Sequence, residues 1–192
     1  YTKEKKENPI LLGVENLTFG YTPEKTNLKD VSFSVREGEM VSIVGKNGAG
    51  KSTLAKLICG FENPAAGRIC LSGRDISGDT IKERAQRIGY VMQNPNQMIS
   101  KPLIWDEVEM ALLAGNMSAE ERKERVGETL KICGLYPFRK WPVSALSYGQ
   151  KKRVTIAGIL VQRPRMIILD EPTAGQDYHH YTEIMEFLKE LN

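Results

Sequence analysis

Nine consecutive residues, Gly45-Lys46-Asn47-Gly48-Ala49-Gly50-Lys51-Ser52-Thr53, bring glycine, lysine and hydroxyl side chains together in the order G-x-x-x-x-G-K-[ST]. That order suits phosphate chemistry. Glycines at 45, 48 and 50 let successive backbone N–H groups turn inward around phosphate oxygens, and a helix opening near Lys51 adds the positive end of its dipole. Lys51 can then reach the β- and γ-phosphates of a nucleotide, Ser52 can place its hydroxyl on Mg2+, and Thr53 completes the cradle. The bland alternative is a glycine-rich turn beside a lysine. The apolar run Met40 to Val44 before the loop and a helical pattern after it supply the strand-loop-helix context that a nucleotide site needs.

A second group of residues can supply acid. Met166 to Leu169 is an apolar run that reads as a buried strand and delivers Asp170 and Glu171 to a sheet's C-terminal edge, where open α/β sheets bind ligands. By itself this is more often a strand entering a turn. With a phosphate loop upstream, Asp170 fits the carboxylate beside Mg2+, and Glu171 fits a general base that polarises water in line with the γ-phosphate. Leu146-Ser147-Tyr148-Gly149-Gln150 forms a third group, in which Ser147 and Gln150 also read as an S-x-x-Q capping box, itself a sufficient reason for both.

The elements that must position these residues follow from hydrophobic period. Alternation over Leu11 to Phe19 and Val31 to Val35 predicts two exposed-edge strands, and Met40 to Val44 reads as a short buried strand. Ser52 to Cys59 reads as a helix stopped by Gly60, with strands at Arg68 to Leu71 and Ile88 to Met92. Strands alternating with helices imply a parallel sheet and an α/β fold. Between Gln93 and Leu146 the period turns helical: Trp105 to Leu113 is one helix, and Ser118 to Ile132 opens on a capping box with Glu121. A helix from about Ser147 to Gln162 is stopped by Pro164, and Tyr181 to Leu191 reads as an amphipathic helix.

Composition excludes several classes. The 192 residues are 41% apolar and 27% charged, which suits one soluble domain and is too polar for an integral membrane protein. No apolar run approaches the roughly 18 residues that span a bilayer, and the charged start, Tyr1 to Asn8, lacks the apolar core of a signal peptide. A net charge of +3 with interspersed signs gives only a weak electrostatic case for nucleic acid, and the one compact basic cluster, Lys151-Lys152-Arg153, reads as a solvated helix face. Cys59, Cys70 and Cys133 lie far apart with no CxxC pairing, which disfavours a zinc site or a disulfide framework and fits reduced thiols.

From Ile10 onward the chain resembles the ABC ATPases, whose signature sequence Leu-Ser-Gly-Gly-Gln is matched by Leu146 to Gln150 with Tyr148 in place of a glycine. The resemblance implies a phosphate-loop ATPase: a parallel-sheet core, an N-terminal antiparallel β part and an inserted helical subdomain at about 94–160, within a nucleotide-binding domain of residues 10–192. It implies ATP and Mg2+ as ligands. Ser147, Tyr148, Gly149 and Gln150 would meet the γ-phosphate held by a second such domain, in a homo- or heterodimer that closes on ATP. Tyr21 matches the aromatic that stacks on adenine, and Gln93 the glutamine that joins Mg2+ or the attacking water and senses a transmembrane coupling subunit. Thr173 to Asp177 matches the loop at the dimer interface, with Gln176 replacing leucine.

Within the ABC group, Gln93-Asn94-Pro95-Asn96-Gln97 and Trp105-Asp106-Glu107-Val108 are similar to the ATPases of energy-coupling factor transporters, which import vitamins and metal ions. The Ser-Tyr-Gly-Gln variant and the Ala-Gly-Gln-Asp-Tyr-His-His-Tyr stretch look like the ATPase of a thiamine or hydroxymethylpyrimidine importer, in which two such domains share one polypeptide. Residues 1–9 then read as a leader or linker, and the location as peripheral, on the cytoplasmic face of the membrane. A soluble ABC ATPase of translation or DNA repair is the alternative, although no nucleic-acid partner is expected. The family's switch histidine follows a further strand; His179 and His180 have no such strand before them and read as a solvated helix start. The expectation is a chain that lacks the C-terminal catalytic part, binds ATP and hydrolyses it weakly by itself.

Overall fold

The computed structural model describes residues 8–22, 26–171, 182, 186, 187 and 189. They form two compact units that divide between Arg84 and Ala85.

In the first unit the strands β1 (Ile10–Phe19), β2 (Leu28–Arg36), β3 (Ala66–Leu71) and β4 (Arg74–Asp75) make an antiparallel sheet in the order β2-β1-β3-β4. Val14 pairs with Phe33 on one side and Ile69 on the other, so β1 is an interior strand and not the exposed edge that its alternation suggested. Period two reports which face of a strand is buried; it carries no information on whether a neighbour lies on both sides. Leu12, Val14, Leu17, Ile69 and Leu71 of this sheet are buried, and so are Leu57 and Ile58 of helix α1 (Lys51–Cys59). Gly60 ends α1 in the left-handed conformation (φ 81°), its N–H donating to Leu57, as the sequence predicts. The buried Arg84, in helix α2 (Ile81–Ala85), then donates to the carbonyls of Leu57 and Ile58 and closes the same helix end.

Met40 to Val44 departs from the expected buried strand. Among the described residues it enters no ladder, and Val44 is 91% exposed. An apolar run becomes a strand only when a neighbour takes its N–H and C=O groups, and that partner cannot be read from the run itself.

The second unit begins with β5 (Ile88–Val91), which pairs in parallel with β6 (Met166–Leu169) from Ile88↔Met166 to Val91↔Leu169. Between them lie helices α3 (Ile104–Met110), α4 (Ala119–Ile132) and α5 (Tyr148–Leu160). The expected capping box at Ser118 and Glu121 is present, with each side chain accepting the other's backbone N–H. Val91, Val108, Leu130, Val154, Ile156 and Val161 share one apolar core. Gly89 lets α5 approach β5: a Cβ there would lie 2.2 Å from Ile159 Cγ2. β6 is half-buried rather than buried, since β5 is its one ladder partner among the described residues. None of the described helices is long and apolar enough to cross a membrane.

Candidate functional site

In the first unit the phosphate loop sits ahead of α1 as its residues dictate. Gly48 (φ 81°) and Gly50 (φ 91°) hold left-handed backbone, and a Cβ on Gly50 would meet Leu28 Cδ2 at 2.8 Å and Asn27 O at 3.1 Å. Only glycine suits that position. As the N-cap residue of α1, Gly50 offers no side chain to the first-turn N–H groups, which leaves that end suited to an anion. Lys51 Nζ donates to the carbonyls of Gly45 (2.8 Å) and Lys46 (3.1 Å), so the ammonium is folded over the loop. Lys46, Asn47 and Ala49 are exposed, Ser52 is half-buried at the helix start, and Thr53 is buried in the first turn.

Tyr21 belongs to the same unit and is 52% exposed, its ring edge-on to Phe19 at 4.9 Å. Its N–H donates to Asn27 Oδ1 (3.2 Å), and the Asn27 backbone oxygen is one of the atoms that a Cβ on Gly50 would meet.

In the second unit the acid edge is a hydrogen-bonded cluster. The Asp170 N–H donates to Val91 O (2.9 Å), extending the parallel ladder by one bond, and Asp170 Oδ2 accepts from the Tyr90 hydroxyl at 2.8 Å. Glu171 follows with φ 43°, a left-handed value that a residue with a Cβ adopts at a cost. Its Oε2 accepts from Gln93 Nε2 at 2.9 Å. Gln93 and Glu171, both expected near the attacking water, are thus in direct contact.

Lys152 was not among the chosen residues. Read as part of a solvated basic face, it is in fact fully buried, and its Nζ donates to the carbonyls of Met92 (2.7 Å) and Gln93 (2.8 Å). Burial pushes its ammonium down to about 8, while the Asp170 carboxylate pulls the other way. Helical spacing held the signal: Lys152 precedes Thr155 and Ile156 by three and four residues, and both are buried on the inner face of α5. The composition of the Lys-Lys-Arg cluster concealed it. Of its neighbours, Arg153 lies over the Phe187 ring at 4.9 Å, and Lys151 is half-buried.

The signature residues open α5. Ser147 Oγ accepts the Gln150 N–H (3.3 Å) and Gln150 Oε1 accepts the Ser147 N–H (3.0 Å), the reciprocal box read from sequence. Ser147 is exposed, and Gly149 and Gln150 are half-buried. Tyr148 is 41% exposed, and its hydroxyl donates to Gln93 O at 3.3 Å. Thr173 to Asp177, His179 and His180 lie outside the described residues.

Each unit, taken by itself, carries oxygen donors of the kind Mg2+ takes: Ser52 a hydroxyl in the first, and in the second Asp170 a carboxylate and Gln93 an amide oxygen, its amide nitrogen being taken by Glu171. These are hard oxygen ligands, and among the described residues no group of three or more His, Cys, Asp or Glu side chains forms a protein-only cage. Magnesium that keeps its waters and shares substrate phosphates needs only one or two protein ligands.

A family model described as ABC transporter matches residues 28–174, a span that includes the phosphate loop, the signature and the Asp-Glu pair. The chain belongs to the ABC transporter family. Over 192 residues it is 58% identical to a candidate ABC transporter ATP-binding protein of Clostridium perfringens, covering 100% of this chain and 34% of that protein. With a counterpart in Enterococcus faecalis it shares 60% identity over 184 residues, 95% of this chain and 32% of the relative. The chain therefore spans about a third of the length of the curated relatives it matches. Among solved structures it is similar to cbiO1 of Clostridium perfringens, described as part of the ABC transporter complex cbiONQ, with TM-score 0.91 and 35% identity over 96% of this chain and 74% of that one. An ATP-binding cassette solved as a dimer in a post-hydrolysis state with ADP and Pi matches with TM-score 0.77 and 32% identity, over 94% of this chain and 82% of that one.

Proposed function

We propose that this chain binds and hydrolyses Mg-ATP to power import of a small solute, a vitamin or a metal ion, through an ABC transporter of the energy-coupling factor type. The observation that carries the catalytic part is the Gln93–Glu171 hydrogen bond beside Asp170. In this reading residues 10–192 are one nucleotide-binding domain, with its helical part at about 94–160. Likeness to cbiO1, part of a transporter complex, supports an importer. The dimeric cassette supports a second ATPase domain as partner. A transmembrane coupling subunit would hold the chain at the cytoplasmic face of the membrane.

The chemistry follows from the side chains. Lys51 exchanges the Gly45 and Lys46 carbonyls for the β- and γ-phosphates, and the backbone N–H groups of Gly48 to Ser52 surround them. Tyr21 offers its exposed ring to adenine. Glu171 takes the proton of the attacking water as general base, and the Gln93 amide holds that carboxylate in place. Ser52, Asp170 and Gln93 are the residues that would hold Mg2+, which would supply charge neutralisation on the phosphates. Ser147 to Gln150 serve the nucleotide of the second domain.

Titration with a fluorescent ATP analogue tests the binding part. The full chain should bind the analogue, and Lys51→Ala should lose tight binding; wild-type affinity in that variant would overturn the phosphate-loop assignment. Affinity capture from detergent-solubilised membranes tests the importer part. A multi-span membrane protein is the expected partner, and recovery of ribosomes or DNA instead would favour a soluble machine.

A further inference from the structure

The signature helix is tied to the glutamine loop at two points. β5 ends at Val91, and the next two carbonyls, those of Met92 and Gln93, leave the sheet. Carbonyls that leave a ladder must find other donors, from side chains or water. Lys152 provides them from the second turn of α5, with its charge fully inside the protein. Tyr148, four residues earlier on the same helix face, donates to the same Gln93 carbonyl from the exposed side. Gln93 itself is exposed, so its backbone is held from within while its amide reaches outward to Glu171. The path from helix to base is continuous: Lys152, the Gln93 backbone, the Gln93 amide, the Glu171 carboxylate. Satisfying two carbonyls does not by itself call for a buried cation, whose burial is costly. Its three N–H donors on a long stem span both carbonyls at once while Asp170 compensates the charge.

We propose that Lys152 is a positioning residue for ATP hydrolysis, acting through Gln93: it holds the loop so that the Gln93 amide stays on Glu171, and thereby makes the signature helix and the catalytic base move together. This rests on the ATPase reading above. The consequence is mechanical. Any displacement of the first turns of α5 draws on the Gln93 carbonyl and with it on the alignment of Glu171.

A double-mutant cycle on the full chain tests the assignment, with steady-state hydrolysis, ATP-analogue titration and thermal melting measured for each variant. Lys152→Met should lower kcat on the order of tenfold and leave KM and analogue affinity within about threefold, since alignment of the base is lost and phosphate binding is not. Lys152→Arg, which keeps a positive charge and N–H donors on a long stem, should recover kcat to within about threefold of wild type. On a Gln93→Ala background Lys152→Met should slow hydrolysis by no more than about twofold further, because two residues acting through one contact are not additive. If the melt shows that Lys152→Met does not fold, Lys152→Gln takes its place in the cycle with the same expected values. Wild-type kcat in the neutral variant, a full tenfold loss repeated on the Gln93→Ala background, or no recovery by arginine would each overturn the proposal. A wild-type chain that releases no phosphate would overturn the ATPase reading and this inference together; the other outcomes strike this inference alone.

Discussion

Gln93 Nε2 lies 2.9 Å from Glu171 Oε2, across the gap between the end of β5 and the residue that follows Asp170. Glu171 holds a left-handed backbone, so its carboxylate owes its direction to this partner as well as to its own strand. Removing the amide should therefore affect chemistry more than binding. Gln93→Ala is expected to lower kcat by roughly tenfold with ATP-analogue affinity within about threefold. Equal losses in both quantities would show that Gln93 serves binding instead.

Tyr148 takes the place of a signature glycine, and its hydroxyl rests on the loop carbonyl of Gln93. The bond is long and exposed, and Lys152 already serves that carbonyl at 2.8 Å. Tyr148→Phe should keep hydrolysis within about threefold, an exposed hydrogen bond being worth on the order of 0.5 kcal/mol. A collapse of activity would mean that the hydroxyl contacts ATP itself.

Cys59 and Cys133 are buried, and burial pushes both thiols from 9.0 up to about 12, against the weaker pull of Arg84 and Arg153 respectively. Cys70 is half-buried. At pH 8 a thiol reagent followed by peptide mapping should label Cys70 in the native protein and the other two only after denaturation. The linkage has a definite sign. Above pH 9 the unfolded thiols ionise while the native ones keep their protons, so the unfolded state binds fewer protons and stability falls as pH rises toward about 12. Native labelling of Cys59 or Cys133 at the rate of Cys70 would contradict this burial.

Gly89→Ala tests the packing that brings α5 to the parallel pair. The added methyl would lie 2.2 Å from Ile159 Cγ2, so either the helix or the strand must shift. Overpacking of this kind costs about 1–3 kcal/mol and should lower the urea midpoint without changing the slope. An unchanged midpoint would show that α5 can move away freely.

Local signals in the sequence proved reliable. Gly60 ends α1, Ser118 and Ser147 begin their helices with capping boxes, and the glycines of the phosphate loop adopt the conformations that such a loop requires. Each of these depends on residues within a few positions of one another. Long-range partnership was hidden. The run Met40 to Val44 has strand composition but no ladder among the described residues, and β1 proved to be interior because β3, which follows β2 and α1 in the chain, pairs with it from Leu12↔Leu71 to Thr18↔Ala66. Lys152 was missed for a related reason. A lysine beside another lysine and an arginine looks solvated, and only the inner face of α5 together with two carbonyls some sixty positions earlier makes it a buried donor.

Phosphate release by the full chain carrying Glu171→Gln asks whether Glu171 is the base of a Mg-ATPase. The substitution keeps the size of the side chain and one oxygen that can accept the Gln93 N–H, and removes the charge and the ability to take a proton. The variant should show unchanged Mg-ATP binding, hydrolysis slowed by at least roughly tenfold, and accumulation of a closed, ATP-bound dimer. Turnover equal to wild type, with binding intact, would contradict it and place the base elsewhere.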